Sequence, residues 1–366
     1  MHKTIKISFD RKFFSNIVSM ICYRKNISLL PYNTFGVNVV ASHLFHLKRP
    51  DDLTELLDFP GFSKMSDNMN KLLLLGQGSN ILFTGPFEGV VIKNEIDGVS
   101  IIKEDESSVD IEVGSGVLWN DLVDYAVTRN WWGIENLSLI PGTAGAAPVQ
   151  NIGAYGAEAA DVILRVKAFQ LRKREWLVFD NSECEFSYRD SVFKRKLKNK
   201  VVICSVHLRL SKKPWPRLDY GGIREEMAKR NITDPCVRDI SAVIASIRRA
   251  KLPDPATLGN AGSFFKNPFV SEAEFQRLFR SHPLIRFHRQ GDLYKISAGW
   301  LIEQAGWKGS RINDTGCYDR QSLILVNYGN ATGKEILEFS EQVKESVHAM
   351  FGITLEREVN VIGQQT

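Results

Sequence analysis

The sequence predicts an α+β fold in two parts joined near residue 213, and three observations favour it. Short apolar segments of strand length alternate with longer segments of helical periodicity from Pro31 onward. The passage Lys213-Pro-Trp-Pro216 then interrupts this alternation with two prolines, as a linker does. The 366 residues are 43% hydrophobic and 24% charged, an ordinary globular composition with length for about two or three domains. We therefore expect an N-terminal extension of residues 1–31, a first domain of residues 32–213 and a second of residues 214–366.

The first domain should contain several short strands and one amphipathic helix. Runs of apolar or alternating residues mark its strands. They cover residues 71–75, 81–83, 89–93, 108–113, 162–170, 176–179 and 201–210. The helix is predicted over residues 117–130, where one face carries Leu118, Leu122, Val123 and Ala126.

The second domain is predicted to begin with a helix over residues 237–249 and to finish with a longer helix and a strand. Thr332-Gly-Lys-Glu335 is a capping box, whose hydroxyl and carboxylate satisfy free N–H groups of a first helical turn. Gly352 should end that helix. Its inward face is expected to consist of Ile336, Phe339, Val343, Val347 and Met350. A final strand is expected over residues 353–362.

Composition restricts the class of ligand. The formal net charge of +5 suits anionic small molecules, whereas nucleic-acid binding usually needs a concentrated basic face. The densest basic run, Lys194-Arg-Lys-Leu-Lys-Asn-Lys200, contains no aromatic residue, and we interpret it as a solvated surface loop. The five cysteines form no CxxC pair and the histidines form no ligand cluster. We therefore expect no nucleic-acid partner, no metal site and a reducing, cytoplasmic location.

Two uncharged segments superficially resemble targeting or membrane sequences. Residues 13–23 follow basic residues, but Arg24-Lys25 stands where a signal peptide would have small residues for cleavage. Residues 136–157 are long enough to cross a bilayer, yet they are rich in Gly, Pro, Asn and Gln rather than in large apolar side chains. We expect no membrane span, and the extension is assigned no role.

Two glycine-rich loops are the strongest candidates for a ligand site. Residues 140–156 combine glycine, alanine and proline without any charge. Gly76-Gln-Gly-Ser-Asn80 follows a predicted strand but lacks the third glycine of a dinucleotide fingerprint and the lysine of a P-loop. Either loop could be an ordinary structural turn. Together they could also face one pyrophosphate, because backbone N–H groups bind phosphate without lysines.

Three polar motifs could carry chemistry, and each has an ordinary structural alternative. Tyr188-Arg-Asp-Ser191 is either a surface ion pair or an arginine aimed at a substrate carboxylate, which its planar fork can bind through two hydrogen bonds. Asn260-Ala-Gly-Ser-Phe-Phe-Lys-Asn-Pro268 places Ser263 in a loop, as a turn serine or a functional hydroxyl, outside any G-x-S-x-G pattern. In Leu355-Glu-Arg-Glu-Val359, strand alternation puts both glutamates on one face, so spacing does not choose between them.

These motifs occur together and in one order, and over residues 33–363 the chain resembles the UDP-N-acetylenolpyruvoylglucosamine reductase family, also called UDP-N-acetylmuramate dehydrogenases. The stretch around Tyr220 resembles the longer form of that family, which carries an extra tyrosine loop over the substrate. Besides the five motifs above, the resemblance rests on Asn33-Thr-Phe-Gly36, Lys251-Leu-Pro-Asp-Pro255 and Ala298-Gly-Trp-Leu-Ile302.

The resemblance implies a two-subdomain FAD-binding module of the vanillyl-alcohol-oxidase (PCMH) type, followed by a C-terminal α+β substrate-binding domain. The two glycine-rich loops would hold FAD non-covalently, since small side chains suit a flat ring and a pyrophosphate. The implied cofactor contacts are Gly76, Gln77, Gly78, Ser79, Asn80, Pro141, Gly142, Ala147, Val149, Asn151, Gly153, Ala154 and Arg248.

The resemblance also implies a reaction, the reduction of UDP-N-acetylglucosamine enolpyruvate with NADPH as co-substrate, in the synthesis of peptidoglycan precursors. Arg189 and Glu358 match the polar cluster that stabilises charge developing next to the substrate carboxylate, and Ser263 matches the proton donor. No separate NADPH motif is expected, because in this family the nucleotide enters the substrate's site. A monomer is expected. The implied substrate contacts are Tyr155, Tyr188, Tyr220, Lys251, Asn267 and Gln321.

Two other functions remain open at this point. One is a different FAD-dependent oxidase on the same module. Many such enzymes attach FAD to a histidine, and none lies between His46 and His207. The other is a non-catalytic UDP-sugar-binding protein, which would not need a proton donor at Ser263. One departure from the family pattern is Arg357, which stands where many members have proline.

Overall fold

The computed structural model of the chain describes residues 21–66 and 71–363. The N-terminal part of the signal-like segment therefore lies outside the described residues. None of the helices in these residues combines the length and the hydrophobicity that a bilayer-spanning segment needs.

The first part of the chain is a four-stranded sheet with two short helices. Its strand order is β1-β2-β5-β3, with β2, β5 and β3 parallel and β1 antiparallel on the edge. Since β1 pairs along β2, with Cys22 opposite His46, this part of the predicted extension belongs to the sheet. The elements are β1 (Cys22–Ser28), β2 (Val40–Leu47), α1 (Asp52–Asp58), α2 (Phe62–Ser66), β3 (Leu72–Leu75), β4 (Ile81–Phe83) and β5 (Phe87–Asn94).

The second part is a five-stranded antiparallel sheet in the order β11-β10-β12-β7-β6. Alternate residues of its strands pack against the apolar face of α3, so that Val109, Ile111 and Val113 share a core with Leu122 and Val123. The elements are β6 (Val99–Glu104), β7 (Ser108–Gly114), α3 (Trp119–Thr128), β8 (Gly153–Ala154), β9 (Ala157–Glu158), β10 (Ile163–Gln170), β11 (Glu175–Asp180) and β12 (Val201–Ser211).

Two helices that follow the proline linker pack with this second sheet. They are α4 (Ile223–Lys229) and α5 (Val237–Lys251), and Ile240 and Ile244 of α5 are fully buried in the core that contains α3. The packing therefore favours a division between cores after Lys251. The boundary near residue 213 followed local composition, and the limits of the domains stay a prediction.

The C-terminal part contains two small sheets flanked by helices. One has the order β13-β19-β18-β17, the other β14-β16-β15, and the last strand, β20, pairs in parallel with β4 of the first part. The elements are β13 (Gly259–Ser263), β14 (Phe269–Ser271), α6 (Glu272–Ser281), β15 (Phe287–Gln290), β16 (Leu293–Ile296), α7 (Ala298–Gln304), β17 (Arg311–Ile312), β18 (Thr315–Cys317), β19 (Ile324–Asn327), α8 (Gly333–Phe351) and β20 (Asn360–Ile362).

The C-terminal part shares one hydrophobic core with the first sheet. The rings of Phe35 and Phe264 meet edge to face with centroids 6.2 Å apart, and both are almost fully buried. Backbone groups are tied across the same interface, because the Asn327 amide donates to the Phe35 carbonyl at 2.9 Å and the Thr34 hydroxyl donates to the Asn260 carbonyl at 2.6 Å. This shared core fixes the C-terminal loops relative to the glycine-rich loops.

Most predicted elements are confirmed, and three details of the prediction are wrong. Leu118 is 41% exposed because its extended backbone precedes the helix. Met350 is 50% exposed, and Phe351, four residues after Val347, takes the inward position instead. Only the last three residues of segment 353–362 form a strand, since those before it follow an irregular path. The capping box is confirmed, as is the end of α8 at Gly352, whose φ is 70°.

Candidate active site

A cavity of about 770 Å³ lies between the two large sheets, and both glycine-rich loops line it. Strand β3 contributes from one sheet and the start of β12 from the other, while the C-terminal strand β20 closes a further side. This volume is in the range of pockets that hold cofactor-sized ligands. Of the predicted cofactor residues, the lining includes Gly76, Gln77, Gly78, Ser79, Asn80, Pro141, Gly142, Ala147 and Val149.

The two loops are tied to each other and to their surroundings. The side-chain oxygen of Gln77 accepts the N–H of Gly142 at 2.6 Å. Gly78 has a φ of 72°, and a Cβ there would lie 2.0 Å from the carbonyl oxygen of Tyr32. Only glycine satisfies both conditions, because its backbone reaches positive φ freely and has no side chain to clash. The first glycine-rich loop therefore packs directly against the backbone at Tyr32, which precedes β2.

The first loop presents free hydrogen-bond donors. The N–H groups of Gln77, Gly78, Ser79 and Asn80 donate no hydrogen bond within the described parts of the chain. Successive free N–H groups in a turn form an anion-binding concavity, which suits the pyrophosphate of a dinucleotide. The small residues of the second loop leave room for a flat ring. The donors and the volume of the cavity therefore fit FAD.

Four predicted cofactor residues lie outside the lining of this cavity. Asn151 is buried and donates to the carboxylate of Glu158 at 2.7 Å, which is a structural contact. Gly153 and Ala154 form the short strand β8. Arg248 donates to the carbonyl of Leu139 at 3.3 Å, and its buried Nε has no partner among the described residues. That free donor, beside the second loop, is available to a ligand.

Arg189 and Glu358 form an ion pair at the junction of the two halves, with Nε and Oε1 2.9 Å apart. Arg189 belongs to a tight turn in which Ser187 and Asp190 exchange two backbone hydrogen bonds, and its own φ is 54°. Its Nη2 donates to the carbonyl of Gly153 at 2.5 Å. Gly153, which belongs to the second glycine-rich loop, therefore helps to fix the direction of the guanidinium. Its contact is with Arg189 rather than with the cavity.

Glu358 is held by residues from several elements. Its N–H donates to the carbonyl of Phe264 at 2.8 Å, and its carbonyl accepts from the side chain of Asn80 at 3.3 Å. Burial raises the pKa of the Glu358 carboxyl above its ordinary value, and the charge of Arg189 opposes that rise. Glu356, by contrast, has a side chain 71% exposed and pairs with Lys266. The irregular backbone thus separates two glutamates that regular strand alternation would have placed on one face.

Three lysines near the ion pair were not identified from the sequence. Lys194 lines the cavity, and its ammonium donates to the carbonyl of Arg189 at 3.1 Å. Lys295 of β16 lies over the ring of Tyr188, 3.6 Å from the centroid, and Lys266 lies close enough to lower the pKa of Lys194. Burial is the main cause of the lowered pKa of both Lys194 and Lys295. The interpretation of the basic run as solvated is therefore wrong for its first residue.

Ser263 lies at the end of β13 and is half-buried. Its hydroxyl makes no hydrogen bond within residues 21–66 and 71–363. The next residue, Phe264, accepts the N–H of Glu358, so the serine and the ion pair belong to one connected loop arrangement. Tyr188, next to Arg189, is packed edge to face on Phe269, and burial raises its pKa.

The predicted tyrosine loop meets the second glycine-rich loop. A Cβ on Gly221 would lie 2.6 Å from the ring of Tyr155, and one on Gly156 would lie 3.5 Å from the Cβ of Tyr220. The two Tyr-Gly pairs therefore pack against each other. The ring of Tyr220 is 49% exposed, as a residue that covers a ligand from outside would be.

The remaining predicted substrate residues lie at three places. Lys251 is exposed at the end of α5. The side chain of Asn267 accepts the first N–H of α7, at Ala298, at 2.9 Å. Gln321 is half-buried beside α7, where a Cβ on Gly299 would come within 2.9 Å of its side-chain oxygen.

Among the described residues, no group of three or more His, Cys, Asp or Glu could hold a metal ion. The absence of a metal remains a prediction.

Two domain families match separate parts of the chain. Residues 62–172 match an FAD-binding domain, and residues 254–362 match the C-terminal domain of UDP-N-acetylenolpyruvoylglucosamine reductase. The reductase of that name from Flavobacterium johnsoniae is 43% identical over 342 residues, covering 93% of this chain and 99% of the relative. The one from Bacteroides fragilis is 44% identical over 337 residues, covering 92% and 98%.

A solved structure supports the fold. The crystal structure of UDP-N-acetylenolpyruvylglucosamine reductase from Thermus caldophilus superimposes with a TM-score of 0.62 at 24% identity, over 94% of this chain and 99% of that one. The FAD-binding domain and the cavity between its sheets define the class: the chain is an FAD-dependent oxidoreductase of the two-subdomain, PCMH type. Its identity to full-length relatives then defines the family. The chain belongs to the UDP-N-acetylenolpyruvoylglucosamine reductases.

Proposed function

We propose that the chain reduces the enolpyruvyl group of UDP-N-acetylenolpyruvoylglucosamine to give UDP-N-acetylmuramate, with NADPH as the reductant and FAD as the cofactor. The observation that carries this proposal is the Arg189–Glu358 pair, which lies where the FAD-binding part and the C-terminal part of the chain meet. When bound, FAD would supply the two-electron chemistry between NADPH and the substrate. Gly76–Asn80 and residues 141–149 would hold it, and the free Nε of Arg248 is a further donor.

Arg189 is proposed to bind and polarise the substrate carboxylate. Reduction of the vinyl group pushes negative charge toward the carbon next to this carboxylate, so a fixed cation lowers the barrier. The guanidinium is already oriented by Glu358 and by the carbonyl of Gly153, and it does not have to reorganise when charge develops. Nη1 and Nη2 each keep one further N–H beside their bonds to the carbonyls of Asn151 and Gly153, and these can donate to a carboxylate.

Ser263 is proposed to give the proton that completes the reaction. The addition of a hydride equivalent to one vinyl carbon leaves an enolate, whose carbon is basic enough to take a proton from a hydroxyl. The Ser263 hydroxyl has no protein acceptor among the described residues, so it is free to face the substrate. Positioned proton transfer of this kind typically contributes about 10²–10⁴-fold.

The UDP half of the substrate is assigned to residues around the tyrosine loop. Tyr220 and Lys251 are proposed to contact the diphosphate, and Tyr155 and Tyr188 to line the pocket. Asn267 and Gln321 are proposed as further contacts, both anchored beside α7.

We also propose a monomer in the cytoplasm, where the five free cysteines would stay reduced. Light scattering on the purified protein tests the monomer.

The proposed reaction is tested by anaerobic rapid mixing. NADPH should bleach the flavin band of the purified protein, and the enolpyruvyl substrate should then restore it. A UDP-N-acetylglucosamine control, which lacks the vinyl group, should leave the flavin reduced. A colourless protein that FAD does not reconstitute, or a reduced flavin that the substrate does not reoxidise, would refute the proposal.

A further inference from the structure

The turn that carries Arg189 requires support from outside itself. Its φ of 54° places a non-glycine residue in the left-handed region, which is disfavoured for side chains with a Cβ. Two backbone hydrogen bonds between Ser187 and Asp190 close the turn, at 3.1 Å each. They do not involve the carbonyl of Arg189. That carbonyl instead accepts the ammonium of Lys194 at 3.1 Å.

Lys194 is placed unusually for a lysine. It is half-buried and lines the cavity, although the run that it opens is otherwise largely exposed. Within the described residues it has no carboxylate within ion-pair distance, while Lys196 and Arg195 of the same run pair with Glu185. A half-buried ammonium without a direct counter-ion is costly, and its hydrogen bond to the carbonyl of Arg189 offsets part of that cost.

The charges around Lys194 connect it with the catalytic pair. Glu358 and Asp190 favour its protonated form, whereas burial and Lys266 oppose it. Lys194 in turn stabilises the ionised form of Glu358. The ammonium thus faces the same site as the guanidinium, and it reaches the backbone of Arg189 rather than its side chain.

We propose that Lys194 is a positioning residue for Arg189, whose ammonium holds the carbonyl of the left-handed turn and so fixes the direction of the guanidinium toward Glu358 and the substrate carboxylate. The inference rests on the proposed function of Arg189. It adds a residue that acts through the backbone of another and need not touch the substrate itself.

A double-mutant cycle tests this role. Lys194→Met keeps the length and the apolar stem of the side chain but removes the donor. It should bind FAD normally and should be reduced by NADPH within about threefold of the wild-type rate. Reoxidation by the enolpyruvyl substrate should slow about 10–100-fold, since small misplacement of a positioning group has effects of this order. Lys194→Arg should recover part of the rate, because a guanidinium can donate to the same carbonyl.

The decisive comparison is with Arg189→Ala. If Lys194 acts through Arg189, adding Lys194→Met to Arg189→Ala should cost no further reoxidation rate. Lys196→Met, a neighbour in the basic run, is the matched control and should behave as wild type. Amide hydrogen exchange across residues 187–190 should rise in Lys194→Met and stay unchanged in the control.

Three results would overturn the positioning role of Lys194. Additive effects, or an unchanged reoxidation rate in Lys194→Met, would overturn the positioning role. Loss of FAD from Lys194→Met, with the fold intact by thermal unfolding, would make Lys194 a cofactor contact and overturn it as well. If wild-type protein fails to be reoxidised by the substrate, the proposed function fails first and this inference fails with it.

Discussion

The guanidinium of Arg189 and the carboxylate of Glu358 lie 2.9 Å apart, although 168 residues lie between them in the chain. Neither side chain is more than 18% exposed. The pair joins a turn of the FAD-binding part to an irregular segment just before the C-terminal strand. Because removal of one partner leaves a poorly solvated charge, both halves of the protein depend on this contact.

Ser263→Ala should separate the two half-reactions. Reduction by NADPH should stay close to wild type, since no substrate carbon is protonated in that step. Reoxidation by the substrate should slow by about 10²–10⁴-fold. Ser263→Cys should recover part of the rate, because a thiol is more acidic than a hydroxyl. Rapid-mixing absorbance at the flavin band measures both steps. Equal slowing of both would show that Ser263 only positions the loop.

Glu358→Gln should change how stability depends on pH. The folded chain binds the Glu358 proton more tightly than the unfolded chain, because burial raises the carboxyl pKa above its ordinary 4.5. The contribution of this group is therefore complete below the ordinary value and is lost as the pH rises through the raised folded pKa. Urea unfolding of the FAD-free protein at several pH values measures it. The stability of wild type relative to Glu358→Gln should fall with rising pH over that window, and parallel curves would contradict the shift.

Gly142→Val should lower FAD occupancy. Gly142 lines the cavity with a φ of 131°, so valine is strained there and its side chain would enter the space beside Ser79. Gly306→Val is the matched control, since Gly306 also has a positive φ, 84°, but lies outside the cavity lining. Both variants should lose stability, and only the first should lose flavin absorbance. Equal flavin content would refute the placement.

Gly153→Val should act mainly on Arg189. A Cβ at Gly153 would lie 3.1 Å from Nη1 of Arg189 and 2.9 Å from the side chain of Glu158, and the residue lies outside the cavity lining. If Gly153 is a cofactor contact, as the family resemblance implies, the change is instead predicted to lower FAD occupancy. The structure favours a slower reoxidation by the substrate with a smaller loss of flavin. Spectra and rapid mixing distinguish the two, and flavin loss as large as in Gly142→Val would support the original prediction.

Lys251→Ala should weaken substrate binding more than it slows turnover. The change removes a cation proposed to face a dianionic diphosphate, so KM for the UDP sugar should rise with little change in kcat. Arg249→Ala is the matched control, because it removes a positive charge from the same last turn of α5. Steady-state kinetics in low salt measures the difference. Equal effects of the two changes would indicate that the substrate responds to the overall positive potential at the end of α5 rather than to a direct contact with Lys251.

Local sequence predicted the elements well where one physical rule dominates. The capping box at Thr332 and the glycine stop at Gly352 set the bounds of α8, since both act within a single helical turn. The strand and turn at residues 72–80 follow from an apolar run and a glycine-rich pentapeptide. The prediction for Met350 was wrong because helical periodicity allows either the third or the fourth residue after Val347 to face inward. The structure uses Phe351, whose ring packs against those of His282 and Trp300.

The sequence by itself determined the family, the glycine-rich loops and the residue types of the site, because these depend on order and composition along the chain. Only the tertiary structure decided which glutamate is buried and that α4 and α5 share the core of the second sheet. It also decided that Lys194, unlike most of the basic run, is half-buried and donates to the carbonyl of Arg189. Each of these depends on contacts between distant segments. Glu358 is held in its buried position by its hydrogen bond to the carbonyl of Phe264 and by its ion pair with Arg189. The residue pattern along positions 355–359 does not predict either contact.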